Sequence, residues 1–112
     1  VDIELVSPRI IAISHKFLHH NEKAFLNDWI QLPKMHLELT TVLWSAKEAI
    51  YKWYGHGELD FRQHMQLSGS ITFKADETIV MPFVFMKQEP VPLTVEARIF
   101  DQLALAWVMT GG

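Results

Sequence analysis

Asp2 and Glu4 stand two residues apart in the opening run Val-Asp-Ile-Glu-Leu-Val, and the segment Trp44-Ser45-Ala46-Lys47-Glu48-Ala49-Ile50-Tyr51-Lys52 adds a third carboxylate and two ammonium groups. Carboxylates are hard oxygen donors, and two of them on one face of a strand lie about 6.6 Å apart, close enough to flank a hydrated divalent cation. On a helix, Ser45, Glu48 and Lys52 fall at i, i+3 and i+7 and line one stripe, with Lys47 on its flank. Taken alone, that stripe is a solvated helix face whose Glu48 to Lys52 ion pair is worth about 0.3 kcal/mol. The acidic pair, likewise, is the wet face of an edge strand.

The elements that must carry these groups follow from periodicity. Residues 1–6 alternate as a strand, with Val1, Ile3 and Leu5 on one face and Asp2 and Glu4 on the other. Ser7 and Pro8 suit the N-cap and first position of a helix that buries Ile10, Ile11, Ile13, Phe17 and Leu18. Asn21 caps a second helix, Glu22 to about Ile30, burying Ala24, Phe25, Leu26 and Trp29. Pro33 opens a long third helix. Its apolar residues Leu39, Val42, Leu43, Ala46, Ile50, Trp53 and Tyr54 recur with a helical period, and Gly55 supplies a left-handed stop. Trp44 and Tyr51 fall on the flank of that helix, outside its main apolar arc.

After Gly55-His56-Gly57 the period changes. Gln66 to Lys74, Thr78 to Met86, Leu93 to Phe100 and Ala104 to Thr110 read as strands, separated by Asp76-Glu77, Pro90-Val91-Pro92 and Asp101-Gln102. The last two suit a tight antiparallel hairpin. The expected fold is therefore α+β: an N-terminal strand, three helices, then antiparallel strands, with the first strand pairing into the sheet because its backbone groups need partners.

Composition narrows the function classes. With 112 residues, 49% of them hydrophobic and 21% charged, residues 1–112 make one domain with a single core. A net charge of -3 excludes bulk nucleic-acid binding, which relies on concentrated Lys and Arg. No apolar run is long enough for a membrane-spanning helix, and no charged-then-apolar leader is present. The lack of cysteine removes disulfides, thiolate metal sites and thiol nucleophiles together. A cytoplasmic location without membrane attachment is expected. Any anionic ligand must be held by local cations.

The wording of the helical segment adds a resemblance. Trp44-Ser45-x-Lys47-Glu48-Ala49-x-x-Lys52 is similar to the second signature of the 4'-phosphopantetheinyl transferase superfamily, and Val1-Asp2-Ile3-Glu4 resembles the first, lacking only its leading glycine. The resemblance covers residues 1 to about 61, and the Trp-Ser form is nearer to the two-domain transferases than to the small holo-acyl-carrier-protein synthases. It implies a metal site of Asp2, Glu4 and Glu48, catalytic roles for Glu48 and Lys52, and contacts from Lys47 and Lys52 to the phosphates of coenzyme A. Mg²⁺ suits such a set. Three carboxylates leave a formal negative excess around one divalent ion, so lysines are needed before a pyrophosphate can approach.

The implied reaction transfers the 4'-phosphopantetheine arm of coenzyme A to a serine of an acyl or peptidyl carrier protein. Carrier proteins are acidic, which makes Arg9 and Lys16 candidate docking residues. Because the chain begins with Val inside the first signature, it reads as the C-terminal half of a two-domain transferase, with the N-terminal half absent. An apolar surface including Trp44 and Tyr51 is then expected where that half would pack, together with self-association of the lone half.

Two readings compete. One is a carrier-binding half-domain without turnover. The other is a metal protein built on His15 and His19, spaced i, i+4 on the expected helix, although the Glu that zincin chemistry requires between them is missing. His20, His36, His56 and His64 have no assigned role, and no Gly-x-Ser-x-Gly elbow surrounds Ser45.

Overall fold

The computed structural model describes residues 1–55 and 57–109. His56 and Thr110, singled out above, lie outside the described residues. The element order is β1 (Asp2–Leu5), α1 (Arg9–Ile13), a 3₁₀ turn (Ser14–Lys16), α2 (His20–Asn27), α3 (Pro33–Tyr54), α4 (Phe61–His64), β2 (Met65–Leu67), β3 (Thr72–Phe73), β4 (Ile79–Phe85), β5 (Val91–Phe100) and β6 (Leu103–Met109). The sheet runs β1-β6-β5-β4-β2 with every pair antiparallel, and β3 pairs with β4 beside β2. This is the expected α+β arrangement. No described helix is long and apolar enough to cross a membrane.

The long helix α3 is the spine of the domain. Pro33 occupies its first turn, where a missing N–H costs nothing, and Gly55 ends it at φ 75°, a conformation that L side chains rarely adopt. Its buried residues Leu39, Val42, Leu43, Ala46, Ala49 and Ile50 meet Ile79, Met81, Phe83 and Phe85 of β4, Val95 and Ala97 of β5, and Ala104 and Ala106 of β6. The alanines of β5 and β6 let the helix approach the sheet closely. Met65 and Leu67 of β2 close one side of this core, and Ile10, Phe17, Leu18 and Leu26 of the helical layer close another.

Several expectations change in detail. The run Gln66 to Lys74 is two short strands, because Ser68-Gly69-Ser70 interrupts the pairing with β4. Val91 and Pro92, read as a separator, begin β5 instead. Helix α2 starts two residues earlier than expected, with His19 at the cap, and ends at Asn27. In α1, Ile10 is buried but Ile11 and Ile13 are exposed, since a helix of five residues has only one inward face.

Strand β1 inverts the simplest solvation rule. Asp2 is buried and Glu4 half-buried beneath α3, whereas Val1, Ile3 and Leu5 face outward at the edge of the sheet. Phe100, Leu103 and Met109 are also exposed, and register pairs Ile3 with Leu105 and Leu5 with Leu103. The sheet face away from the helices therefore carries the exposed apolar surface. Trp44 does not: its ring is half-buried between Phe17 and Phe61, with centroids at 5.0 and 5.5 Å, and Tyr51, more exposed, packs on Phe61 at 5.6 Å. Of the expected apolar pair, Tyr51 is exposed and Trp44 half-buried, and the outer face of β1, β5 and β6 exposes further apolar residues.

Candidate active site

The acidic site forms where β1 passes under the C-terminal half of α3. Alternation along the strand turns Asp2 and Glu4 together toward the helix, and Ser45, Glu48 and Lys52 occupy the facing stripe. The Ser45 hydroxyl bonds Asp2 Oδ2 at 2.8 Å, and its oxygen also lies 3.2 Å from the Asp2 carbonyl oxygen. Lys52 Nζ donates to Asp2 Oδ1 at 2.9 Å and to the Val1 carbonyl at 3.4 Å. Ser45 thus pins the buried carboxylate, and Lys52 covers it from the solvent side.

Burial, and then the negative charge of Asp2, raise the other two acids. Glu4 is pushed up to about 7, chiefly by burial, then by its hydrogen bond to Asp2 and the Asp2 charge, with a bond from the Trp44 indole opposing the rise. Burial and the Asp2 charge also raise Glu48, and Lys52 acts against that rise. The Asp2 bond holds Lys52 above the ordinary lysine value. Three acids gathered beside one ammonium form a donor set that suits a hard divalent cation in chemistry. Among the described residues, however, no three His, Asp or Glu side chains stand in one coordination sphere. Asp2 has one oxygen committed to Ser45 and the other to Lys52, so closing around an ion requires Lys52 to let go.

Lys47 is elsewhere. One residue from Glu48 but about 100° around the helix, it runs into the interior, fully buried, and donates to Phe17 O and Glu22 Oε1, both at 2.5 Å, and to Phe61 O at 3.0 Å. Burial pulls its ammonium below the usual lysine value, and Glu22 resists that pull. The structure brings Asp2, Glu4, Glu48 and Lys52 together and leaves Lys47 out. A buried ammonium with all three donors engaged is not presented to a ligand phosphate.

Beside the acids lies a feature that the sequence did not reveal. Phe17, Trp44, Leu59 and Phe61, together with Lys16, Glu58, Asp60, His64 and Lys87, line an open pocket of about 640 Å³. Trp44 belongs to both places, its ring forming a wall and its indole bonding Glu4. Asp60 caps α4 through the Arg62 and Gln63 amides at 2.9 and 3.0 Å, and His64 Nδ1 accepts from the Asp60 N–H at 2.9 Å. Phe61 and Phe17 are far apart in sequence and no spacing joins them to Trp44. The Asp60 cap was the available local signal for the short helix.

The histidine pair fails on geometry. His15 sits in the 3₁₀ turn and His19 is the cap of the next helix, so they do not share a helical face. His19 instead bonds Asn21 Oδ1 through Nδ1 at 2.8 Å and packs on the His20 ring at 4.0 Å. Arg9 and Lys16 are both exposed on the α1 side.

Comparison with curated proteins and with solved structures returned no match. A family model does match, over residues 1–107, and so spans the acidic strand, the signature helix and nearly all of the sheet. The chain belongs to the 4'-phosphopantetheinyl transferase superfamily.

Proposed function

We propose that the chain provides the acid-bearing half of a Mg²⁺-dependent enzyme that moves the 4'-phosphopantetheine arm of coenzyme A onto a serine of an acyl or peptidyl carrier protein. The observation that carries this reading is the junction of two environments at Trp44: an acidic cluster with Lys52 at its rim, and an aromatic cavity able to take a flexible, largely uncharged arm. Asp2, Glu4 and Glu48 would hold the Mg²⁺, which when bound supplies charge neutralisation at the pyrophosphate. Lys52 exchanges Asp2 for a phosphate oxygen. The arm lies against Phe17, Trp44 and Phe61.

Glu48, raised by burial and the Asp2 charge, accepts the serine proton. The serine oxygen forms its bond to the arm's phosphorus as the bond from that phosphorus to the bridging oxygen breaks, and adenosine 3',5'-bisphosphate departs with the electron pair. Arg9 and Lys16, exposed together on the α1 side, provide positive charge for an acidic carrier. The outer sheet face, with Ile3, Leu5, Phe100, Leu103 and Met109 exposed, supports a second half-domain, or a second copy of the chain, packed against it. We place the reaction in the cytoplasm.

The test is mass spectrometry of a carrier protein incubated with coenzyme A and Mg²⁺, using this chain alone and joined to a second transferase half-domain. Addition of the arm, abolished by Glu48→Gln, is the expected result. Carrier binding without any mass gain in either form would replace the enzyme with a docking module. Sedimentation checks the apolar face: association should rise with protein concentration and be lost in Leu5→Lys.

A further inference from the structure

We infer that Lys47 and Glu22 are positioning residues for the aromatic cavity, acting through the backbone rather than on phosphate; this rests on the cavity being the arm's site. The two side chains are fully buried and paired at 2.5 Å. Each is saturated. Lys47 holds the carbonyls of Phe17 and Phe61, while Glu22 accepts from the His19 N–H through Oε1 and from the Leu67 N–H through Oε2, both at 2.8 Å. One ion pair thereby ties the end of the α1 segment, the start of α2, the middle of α3, the start of α4 and strand β2.

The two carbonyls belong to the residues whose rings enclose Trp44. Phe17 and Phe61 both pack on the Trp44 ring, with centroids at 5.0 and 5.5 Å, and all three line the pocket. Stability alone does not account for charges at this point, because a buried ion pair is commonly replaceable by apolar groups of similar volume with little loss. What apolar groups cannot do is grip two carbonyls from distant segments. The pair sets the spacing of the Phe17 and Phe61 backbones, and with it the width of the slot around Trp44.

The probe is pantetheine itself, the arm without nucleotide or phosphate, titrated into the 112-residue chain and followed by tryptophan emission and aromatic NMR shifts. The double variant Lys47→Met/Glu22→Gln removes the charges together and keeps an acceptor for the His19 or Leu67 amide. It should stay folded, retain the Mg²⁺-induced rise in melting temperature, and bind pantetheine at least about tenfold more weakly, a loss of about 1.4 kcal/mol. Unchanged pantetheine affinity in the folded variant would overturn the positioning role. Unaltered protein that ignores pantetheine but responds to Mg²⁺ would instead overturn the cavity as the arm's site, and the inference with it. If the double variant does not fold, Lys47→Gln, which keeps donors for the carbonyls, takes its place: a partial loss supports the inference and full affinity overturns it.

Discussion

Helix α3 carries two lysine–carboxylate pairs five residues apart in sequence, and they are opposites. Lys47 and Glu22 meet at 2.5 Å with neither side chain exposed, whereas Lys52 and Asp2 meet at 2.9 Å with the lysine side chain 53% exposed. The buried lysine has spent all its donors on the protein. The exposed one sits over a buried acid that two further carboxylates crowd, and when it swings into water the Asp2 carboxylate keeps its hydrogen bond from Ser45. Two lysines with the same resemblance-based assignment thus divide into a fixed strut and a movable cover, and it is burial that divides them.

The largest expected effect breaks the strut. Lys47→Ala leaves Glu22 charged and unpaired in the interior, a change that costs about 3 to 5 kcal/mol. Urea unfolding should show the unfolding free energy falling by that amount, with a lower midpoint, and adding Glu22→Gln should recover part of it, because the orphaned charge is what hurts. A loss below 1 kcal/mol for Lys47→Ala, by the ordinary range for surface changes, would mean that the interior admits water and that the two pairs are not different in kind.

Next in size is the response to a divalent cation. Mg²⁺ at ten times its dissociation constant should stabilise the chain by about 1.4 kcal/mol, seen as a higher melting temperature. The gain should vanish in Glu48→Gln and persist in Lys52→Ala, since only the first replaces a charged carboxylate oxygen by a neutral amide. Equal responses in both variants would detach the cation from this cluster.

A smaller effect follows from proton linkage without added cation. Glu4 rises from 4.5 to about 7 on folding and Glu48 moves the same way, so between those limits the folded chain binds more protons than the unfolded one. Stability is then highest below the unfolded value and falls as pH climbs through the folded one. Because Glu4 is only partly buried, solvent screening reduces its share to about 1 kcal/mol across that window. Thermal melts from pH 4.5 to 7.5 in chelator should show the fall, with Mg²⁺ flattening it. A flat profile in chelator would show that the acids are farther apart in solution.

The pattern of what was legible in the sequence follows the same division. Local periodicity found α3 from Pro33 to Gly55, the alternation of β1 and the β5-β6 hairpin, because each is written in consecutive residues. It also set Asp2 with Glu4 on one strand face and Ser45, Glu48 and Lys52 on one helix stripe, while the resemblance to the family signatures is what joined the two faces. It could not see that Glu22, the first residue of an expected helix, would be buried under Lys47, as no pattern links positions so distant. The capping-box signal was also hidden, because His19 stands where Ser or Thr is usual. For β1 the alternation was right, and of its two readings, a wet acidic face or a face turned toward Glu48, the structure shows the second: Asp2 and Glu4 lie against α3 while Ile3 and Leu5 are exposed.

The smallest expected change in stability, and the sharpest test of the comparison, is Lys52→Ala. The exposed ammonium contributes little to the fold, because water solvates it well in either state and its bond to Asp2 is screened on one side. Removing it also takes away a cation facing three acids, so Glu4 and Glu48 should titrate still higher in the variant without Mg²⁺, as Lys52 acts against the rise at Glu48. Melting temperature at neutral pH should therefore stay close to that of the unaltered chain when Mg²⁺ is present. If Lys52 meets phosphate charge in the transition state as proposed, the same substitution in an active two-domain enzyme should cut turnover by at least about tenfold. Steady-state kinetics and a melt in Mg²⁺ on one preparation decide the matter. Full turnover with an unchanged melt would make Lys52 a surface residue, and a large loss of stability would make it a second strut.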